Sequence, residues 1–368
     1  MLSFLGSLFS KTKSKKPSKF KNRFIPNLET LGERIVPAVR FWNGSTSVDW
    51  TVASNWDGNN PPGAFDVASI DGGAANAPVL YTGATRSISG ISLTNGGKDV
   101  TINGTLTVDT TMFWDASKTL GGSGSLCIDG GTFHWTAGNI SVATVRIDDA
   151  QSNAYLKIYK GAGSLTSNNV YVGASDNSSL VVKLIISDAN NADKLTSNLV
   201  LGTNTVITVY YGGTVEFHHD NGSNTTGGIV GGTNSVISNH GTINFLYADE
   251  AGQTLQITCP LSNYGDINFG SSTQAVKVAL ALPASSPFDE AFLQSGSSAT
   301  TTLWAGSSLT ATDIVVETGL FQTAGSAGTI YLIGNLTFTG GTLLIGVTDG
   351  NLQTLDVSAD CVFSGATV

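Results

Sequence analysis

Charged side chains are scarce in this chain, because Lys, Arg, Asp and Glu together make up 12% of its 368 residues. Few charges combined with 40% hydrophobic residues exclude the kind of disorder that charge repulsion maintains. Long hydrophobic runs are also missing, and the apolar run at 276–282 has only the length of a strand. A transmembrane helix needs about 18 or more apolar residues in succession. The sequence therefore predicts a folded chain without a transmembrane helix.

Cysteine is rare as well, with Cys127, Cys259 and Cys361 spread more than a hundred residues apart. An odd number cannot all pair, and the chain has no Cys-x-x-Cys, which excludes the usual zinc and thioredoxin-like motifs. Each cysteine stands beside apolar strand residues, so we expect small buried hydrophobic side chains. A chain of this length can bury a core without disulfides, so their absence does not argue against export.

The short motifs that mark catalysis are missing too. There is no Gly-x-Ser-x-Gly elbow with partners, no phosphate loop with lysine and no His-Glu-x-x-His. The segment 121–124 begins like a calcium-binding nonapeptide, but Leu126 stands where that repeat requires Asp. We predict no cofactor, no metal site and no catalytic residue, and we leave enzymatic activity open.

The charge that is present is unevenly distributed. The chain carries −9 overall, yet residues 1–40 hold nine basic and two acidic residues and carry +7, so the remainder carries −16. Nucleic-acid binding needs dense cationic side chains against phosphates. The acidic body lacks them, and the basic stretch has no interleaved aromatic residues. We therefore predict no nucleic-acid partner and interpret residues 1–39 as a basic, mostly disordered leader outside the fold.

The leader does not follow the usual secretory order, because its apolar patch at 1–9 precedes the lysines. Residues 27–38 read Asn-Leu-Glu-Thr-Leu-Gly-Glu-Arg-Ile-Val-Pro-Ala. This segment resembles the Leu-Glu-x-Leu-Glu-x-Arg-x-Val-Pro motif near the N-terminus of many large planctomycete proteins regarded as exported. The matching residues are Leu28, Glu29, Leu31, Glu33, Arg34, Val36 and Pro37, whereas Gly32 departs from the pattern. The resemblance implies an extracellular or cell-surface location, and a short amphipathic helix or linker is the alternative.

Three of the six tryptophans, Trp42, Trp50 and Trp56, fall within fifteen residues of the segment 40–72. Their order resembles the opening of bacterial surface proteins with autotransporter-like passenger β-helices. The first coil of such a fold exposes a sheet edge and an apolar end, so terminal repeats act as caps. We interpret the segment as an N-terminal cap. The alternative is a binding platform on which the three indoles stack against sugars.

A repeat determines the predicted fold. Residues 237–245 and 261–269 share six of nine identities at an offset of 24 residues. A fixed period of this size is typical of an architecture in which each repeat buries its apolar side against its neighbours. Gly-Thr steps leading into alternating strands recur throughout 73–368. We predict an all-β parallel β-helix (β-solenoid) of about twelve coils. A second echo, between 165–168 and 195–198, suggests that coil length varies.

Asparagine recurs at equivalent positions of the repeat. Asn239 and Asn263 are one coil apart, and so are Asn244 and Asn268. Stacked asparagines hydrogen-bond along the axis of cross-β structures. We therefore predict that these four residues form structural ladders.

Carboxylates that could serve a glycosidase or lyase are scattered. Such enzymes need two carboxylates that converge on one groove. The candidates are Asp148, Asp149, Asp188, Asp193, Glu216 and Asp220. None is repeated one coil away from another, and we interpret them as surface acids. The cluster His218-His219-Asp220 cannot bring both histidines to one metal on a straight strand, although His240 could lie one coil on.

These observations predict a secreted or cell-surface structural or adhesin-like β-solenoid without catalytic activity. The expected partners are polysaccharides or other cell-surface components. The alternative is a carbohydrate-binding or polysaccharide-degrading β-helix, an analogy at the level of fold alone. A third possibility is a remnant of a longer surface protein.

Overall fold

The structure, a computed structural model, describes residues 37–368 except for the positions given next. These are 95, 111, 115–116, 149–151, 160–161, 174–180, 187–198, 220–227, 248–253, 274, 283–285, 327 and 349–350, together with the side chains of 113, 219, 247, 347–348 and 351–352. The predicted leader, 1–39, lies almost wholly outside the described residues, as do Asp149, Asp188, Asp193 and Asp220.

Short strands of alternating polarity build the fold. In Asn169–Val172 and Val206–Val209 every second side chain is buried, as expected for strands with one face against a core. The strands that build the coils pair in parallel with the equivalent strands of the next coil, for example Val170 with Ile207. Three such strands per coil generate three sheets, here called the first, second and third faces. The result is a parallel β-solenoid of about 11 turns, which confirms the predicted fold class.

The first two faces meet at a bend. The first face contains Val79–Leu80, Val100–Ile102, Ala162–Leu165, Leu199–Leu201, Gly228–Val230, Leu255–Thr258, Lys277–Leu280 and Thr354–Val357. The second contains Thr85–Ile88, Thr105–Val108, Asn169–Val172, Val206–Val209, Val236–Asn239, Leu261–Asn263, Phe292–Gln294 and Cys361–Phe363. Four longer strands contribute to both faces: Thr119–Ile128, Gly138–Ile147, Ser308–Val316 and Thr329–Phe338.

The third face is a continuous ten-stranded sheet. It contains Met112–Trp114, Gly131–Trp135, Ala154–Ile158, Val182–Ile186, Gly213–His219, Thr242–Tyr247, Asp266–Phe269, Thr300–Trp304, Leu320–Ala324 and Thr342–Leu344. A separate three-stranded sheet at the N-terminal side contains Val39–Trp42, Val67–Asp71 and Gly90–Thr94. The 3-10 turns Ala53–Asn55 and Asp57–Asn59 and the antiparallel pair Val347–Thr348 and Asn351–Leu352 complete the described elements.

The repeat seen in the sequence is one coil in space. Asn239 pairs with Asn263 on the second face and Asn244 with Asn268 on the third, and both pairs have the predicted offset of 24 residues. Elsewhere on the third face the offset differs. Thr302 and its partner Gln322 are only 20 residues apart. Insertions between strands therefore change the coil length without changing the stack.

The second sequence similarity, between 165–168 and 195–198, does not give the register in which successive coils pair. Leu165 pairs with Leu201 and not with Leu195, the residue that the echo had aligned with it. The strand after Leu165, Asn169–Val172, belongs to the second face, whereas Leu199–Leu201 belongs to the first. Similar composition at the two positions had aligned strands that lie on different faces.

The core is a column of inward side chains. Phe217, Phe245 and Phe269 stack with 4.8 Å between successive ring centroids, the spacing of neighbouring strands. Cys259 is also buried, and burial raises the pKa of its thiol to about 12. The expectation of buried cysteines was wrong for Cys361. This residue is exposed because, among the described strands, its own strand pairs only with Thr329–Phe338. Cys127 is partly exposed.

Candidate functional site

The three N-terminal tryptophans lie in the core. Trp42, Trp50 and Trp56 are at most 1% exposed, and Trp56 packs edge-on against the other two at centroid distances of 5.1 and 4.9 Å. The Trp56 indole N–H donates to the Trp50 carbonyl at 2.6 Å, and that of Trp42 donates to the Asn76 carbonyl at 2.7 Å. The sugar-platform interpretation of these residues was wrong, because none of their ring faces is open to a ligand.

Two polar residues hold the loops around this tryptophan cluster. The buried Asn55 side chain accepts from the Thr46 and Ser47 amides at 2.9 and 2.8 Å and donates to the Asp49 carbonyl at 2.8 Å. The Asp66 carboxylate accepts from the Ala38 and Gly63 amides. Burial would raise the pKa of Asp66, but these hydrogen bonds and the charge of Arg40 lower it overall. Both residues therefore satisfy loop amides and do not face a ligand.

The predicted asparagine ladders are confirmed, and one of them extends further than expected. The Asn239 amide donates to Asn263 Oδ1 at 2.9 Å inside the core. The Asn263 amide continues towards Gln294 Oε1 at 3.4 Å, and Gln294 donates to the Thr318 carbonyl at 3.0 Å. All three side chains of this inner ladder are fully buried. The sequence missed Gln294 because it carries a different amide side chain and lies 31 residues from Asn263, beyond the regular repeat.

The second asparagine pair lies on the outer surface of the third face. Asn268 Nδ2 donates to Asn244 Oδ1 at 2.9 Å, and both side chains are half-buried. The pair therefore repeats the geometry of the inner ladder in contact with water. Both ladders use their polar atoms between coils.

One charged cluster brings together groups that are distant in the sequence. Glu216 on strand Gly213–His219 accepts from Lys183 Nζ at 2.5 Å, from the preceding coil, and pairs with His218 Nε2 at 3.1 Å. The Glu216 side chain is only 11% exposed. Glu216 and His218 look like separate surface residues in the sequence, and Lys183 cannot be recognised as their partner, because a long connection joins the two strands.

The electrostatics of this cluster fix Glu216 as an anion. Burial would raise the pKa of its carboxyl, but the hydrogen bonds from His218 and Lys183 and their positive charge lower it to about 2. A carboxyl with that pKa holds no proton at neutral pH and cannot act as a general acid. His240 does not join the cluster, because it lies at the corner before strand Thr242–Tyr247 and stacks on Tyr264.

The other described candidate acid, Asp148, pairs at 2.9 Å with Arg146, two residues earlier in the chain. Within the described ranges, no three His, Cys, Asp or Glu side chains come together in a way that could hold a metal ion. In the same part of the chain, no helix is long and apolar enough to cross a membrane.

We expect Glu216→Gln to lower stability at neutral pH by about 1–3 kcal/mol, because it leaves the Lys183 ammonium beside a neutral group in a partly buried site. The folded pKa of Glu216, about 2, lies below the ordinary value of 4.5. Its contribution is therefore complete above pH 4.5 and is lost as the pH falls towards 2. Urea unfolding of both proteins from acid to neutral pH measures this difference. Glu317→Gln, at an exposed glutamate, is the control. A gap between Glu216→Gln and the wild type that does not change with pH would contradict the expectation.

Aromatic side chains do reach the surface at the corner between the second and third faces. The same corner position is occupied in three successive coils by Tyr210, His240 and Tyr264. The backbone amide of each donates to the carbonyl of the residue that ends the second-face strand of the preceding coil. The rings of His240 and Tyr264 stack at 4.7 Å and 6°, and Tyr210 packs against Tyr171 at 5.7 Å. We call Tyr171, Tyr210, His240 and Tyr264 the aromatic corner.

A groove continues along the same corner in the coils that follow. It has a volume of about 640 Å³ and is open to solvent. Its lining consists of Ser297, Ser298, Ala299, Thr300, Gly319, Leu320, Gly341, Thr342, Gly365 and Thr367. No charged side chain belongs to this lining. We call it the corner groove.

Comparisons with protein families, curated proteins and solved structures gave no match to this chain.

Proposed function

We propose that the chain is an exported, non-catalytic β-solenoid that acts at the cell surface as a stalk or adhesin-like passenger. The parallel stack of about 11 turns supports this proposal, because such a stack is held by neighbour-to-neighbour contacts along its whole length. The resemblance of residues 27–38 to an export-associated motif supports the location.

The observation that carries the proposal is the use of the buried polar groups. Asn239, Asn263 and Gln294 bond to one another between coils, and Glu216 is neutralised by Lys183 from the neighbouring coil. Catalytic groups need a free atom directed at a substrate and a pKa suited to the reaction. The ladder amides and one Glu216 oxygen are directed at neighbouring coils, and the other Glu216 oxygen pairs with His218 of the same strand, so these atoms are used within the protein, as a structural role requires.

Export has a direct test in the cell. We expect the full chain to appear in the extracellular or cell-surface fraction and to be degraded when intact cells are treated with protease. A variant lacking residues 1–36 should stay inside, because most of the export-like motif lies there, while the described fold begins at residue 37. Fractionation followed by immunoblotting measures both. A full chain confined to the cytosol would overturn the proposed location.

The proposed lack of catalytic activity is tested by a separate measurement. Purified protein incubated with a panel of polysaccharides should release no new reducing ends and no unsaturated products. Product formation that Glu216→Gln abolishes would overturn this part of the proposal and assign the Glu216 cluster to catalysis. Circular dichroism of the variant should show that its β-structure is retained.

A further inference from the structure

The aromatic corner ends in an uncovered ring. His240 covers the face of Tyr264 that is directed at the preceding coil. In the following coil the corner carries Ser295 and Gly296, and a Cβ on Gly296 would lie 2.7 Å from Tyr264 Cα. Glycine is therefore required where the next coil crosses Tyr264, and no other described ring stacks on that side. Tyr264 is 36% exposed.

The corner groove begins in the coil that follows Tyr264. Ser297 follows Gly296 in the chain, and the groove then continues through the same corner of the next coils at Gly319, Gly341 and Gly365. The side chains that line it are hydroxyls, small apolar groups and one leucine. The result is a recess that runs along the coils, is lined without charged side chains and starts one coil after Tyr264.

This combination favours one class of ligand. Sugar rings present apolar C–H faces that pack on aromatic rings, and their hydroxyls pair with serine and threonine hydroxyls. A polyanion would need lysine or arginine against its charges, and the groove lining supplies neither. The volume is within the usual range for ligand sites. The absence of charge in the lining therefore matches a neutral polymer.

We propose that the corner groove binds a neutral polysaccharide along the axis of the coils, with the uncovered face of Tyr264 stacking on a sugar ring. This inference rests on the proposed surface function and names its partner. It places the carbohydrate contact at an exposed tyrosine and not at the three tryptophans, which are buried in the core. Substitutions at Tyr264 therefore test binding without disturbing the tryptophan cluster.

The test uses the full chain and soluble neutral polysaccharides (β-glucan, mannan and xylan), with polygalacturonate and alginate as anionic probes. We expect affinity electrophoresis to show retardation by at least one neutral polymer. Tyr264→Ala should weaken that binding about tenfold or more, because the stacked ring is lost. Tyr264→Phe should bind like the wild type. Thr342→Gln, which extends a side chain into the groove, should also weaken binding.

Tyr331→Ala is the matched control, since Tyr331 is 45% exposed on the first face, away from the groove. Circular dichroism and thermal unfolding establish that each variant is folded. Absence of binding to every neutral polymer, binding restricted to the anionic polymers, or equal binding by Tyr264→Ala and wild type would each overturn the inference. An exported chain without glycan binding refutes this inference alone, whereas glycan binding by a cytosolic chain refutes the proposed location alone.

Discussion

Replacing Asn263 with alanine is expected to lower the free energy of unfolding by about 2–4 kcal/mol, because the inner ladder then loses its middle member. Asn263 Oδ1 accepts from both Asn239 Nδ2 and the Gly265 amide, at 2.9 and 3.1 Å. Its own amide is directed at Gln294 and at Thr301 Oγ1. Alanine leaves one amide hydrogen of Asn239 without this partner in a site closed to water, and it adds a small cavity.

The chain provides a matched control for this change. Asn268 lies in the same coil and also makes a 2.9 Å bond to an asparagine one coil away. It differs in being half-buried, so water can replace the lost bond, and Asn268→Ala should cost about 1 kcal/mol or less. The comparison of the two variants isolates burial from residue type and geometry.

Chemical denaturation followed by circular dichroism measures both costs, and hydrogen exchange locates them. Because each coil contacts only its neighbours, Asn263→Ala should speed exchange most at the amides of Gly241 and Gly265, the two amides bonded to the ladder. Equal costs for Asn263→Ala and Asn268→Ala would mean that the inner ladder contributes no more than a surface contact.

These ladders show what could be predicted from the sequence. In a parallel stack with one residue pattern per coil, identical residues at a constant offset must lie side by side. The contact between Asn239 and Asn263 could therefore be predicted from the sequence. The same repeat also contained His240 and Tyr264 at one position, and their stacking could have been predicted by the same argument. A pair of different aromatic residues was simply less visible than a pair of asparagines.

Contacts across coils of other lengths were not predictable in this way. Lys183 and Glu216 are 33 residues apart, and their encounter depends on the length of the connection between two strands. The predicted sugar platform of tryptophans was wrong for a different reason. Composition shows that large aromatic rings cluster near the N-terminus, but only the fold determines whether they face the core or the solvent.

Gly173→Ala is expected to have the largest effect on stability, at about 3–5 kcal/mol. Gly173 has a φ of +77°, and a Cβ there would press against the Gly213 amide nitrogen and lie 2.5 Å from its Cα. Positive φ costs an alanine about 1–2 kcal/mol. The clash adds to this cost, because both atoms belong to the backbone of the next coil and neither can rotate away.

Gly212 separates these two contributions. Its φ is +79°, yet a Cβ at this position meets nothing within 4 Å. Gly212→Ala should therefore cost only the conformational strain, about 1–2 kcal/mol, as measured by the same denaturation experiment. If the two variants lost equal stability, backbone conformation alone would explain these corner glycines. A larger loss for Gly173→Ala means that glycine is required there because the backbones of successive coils approach too closely for any side chain, which is the physical condition for stacking coils at strand spacing.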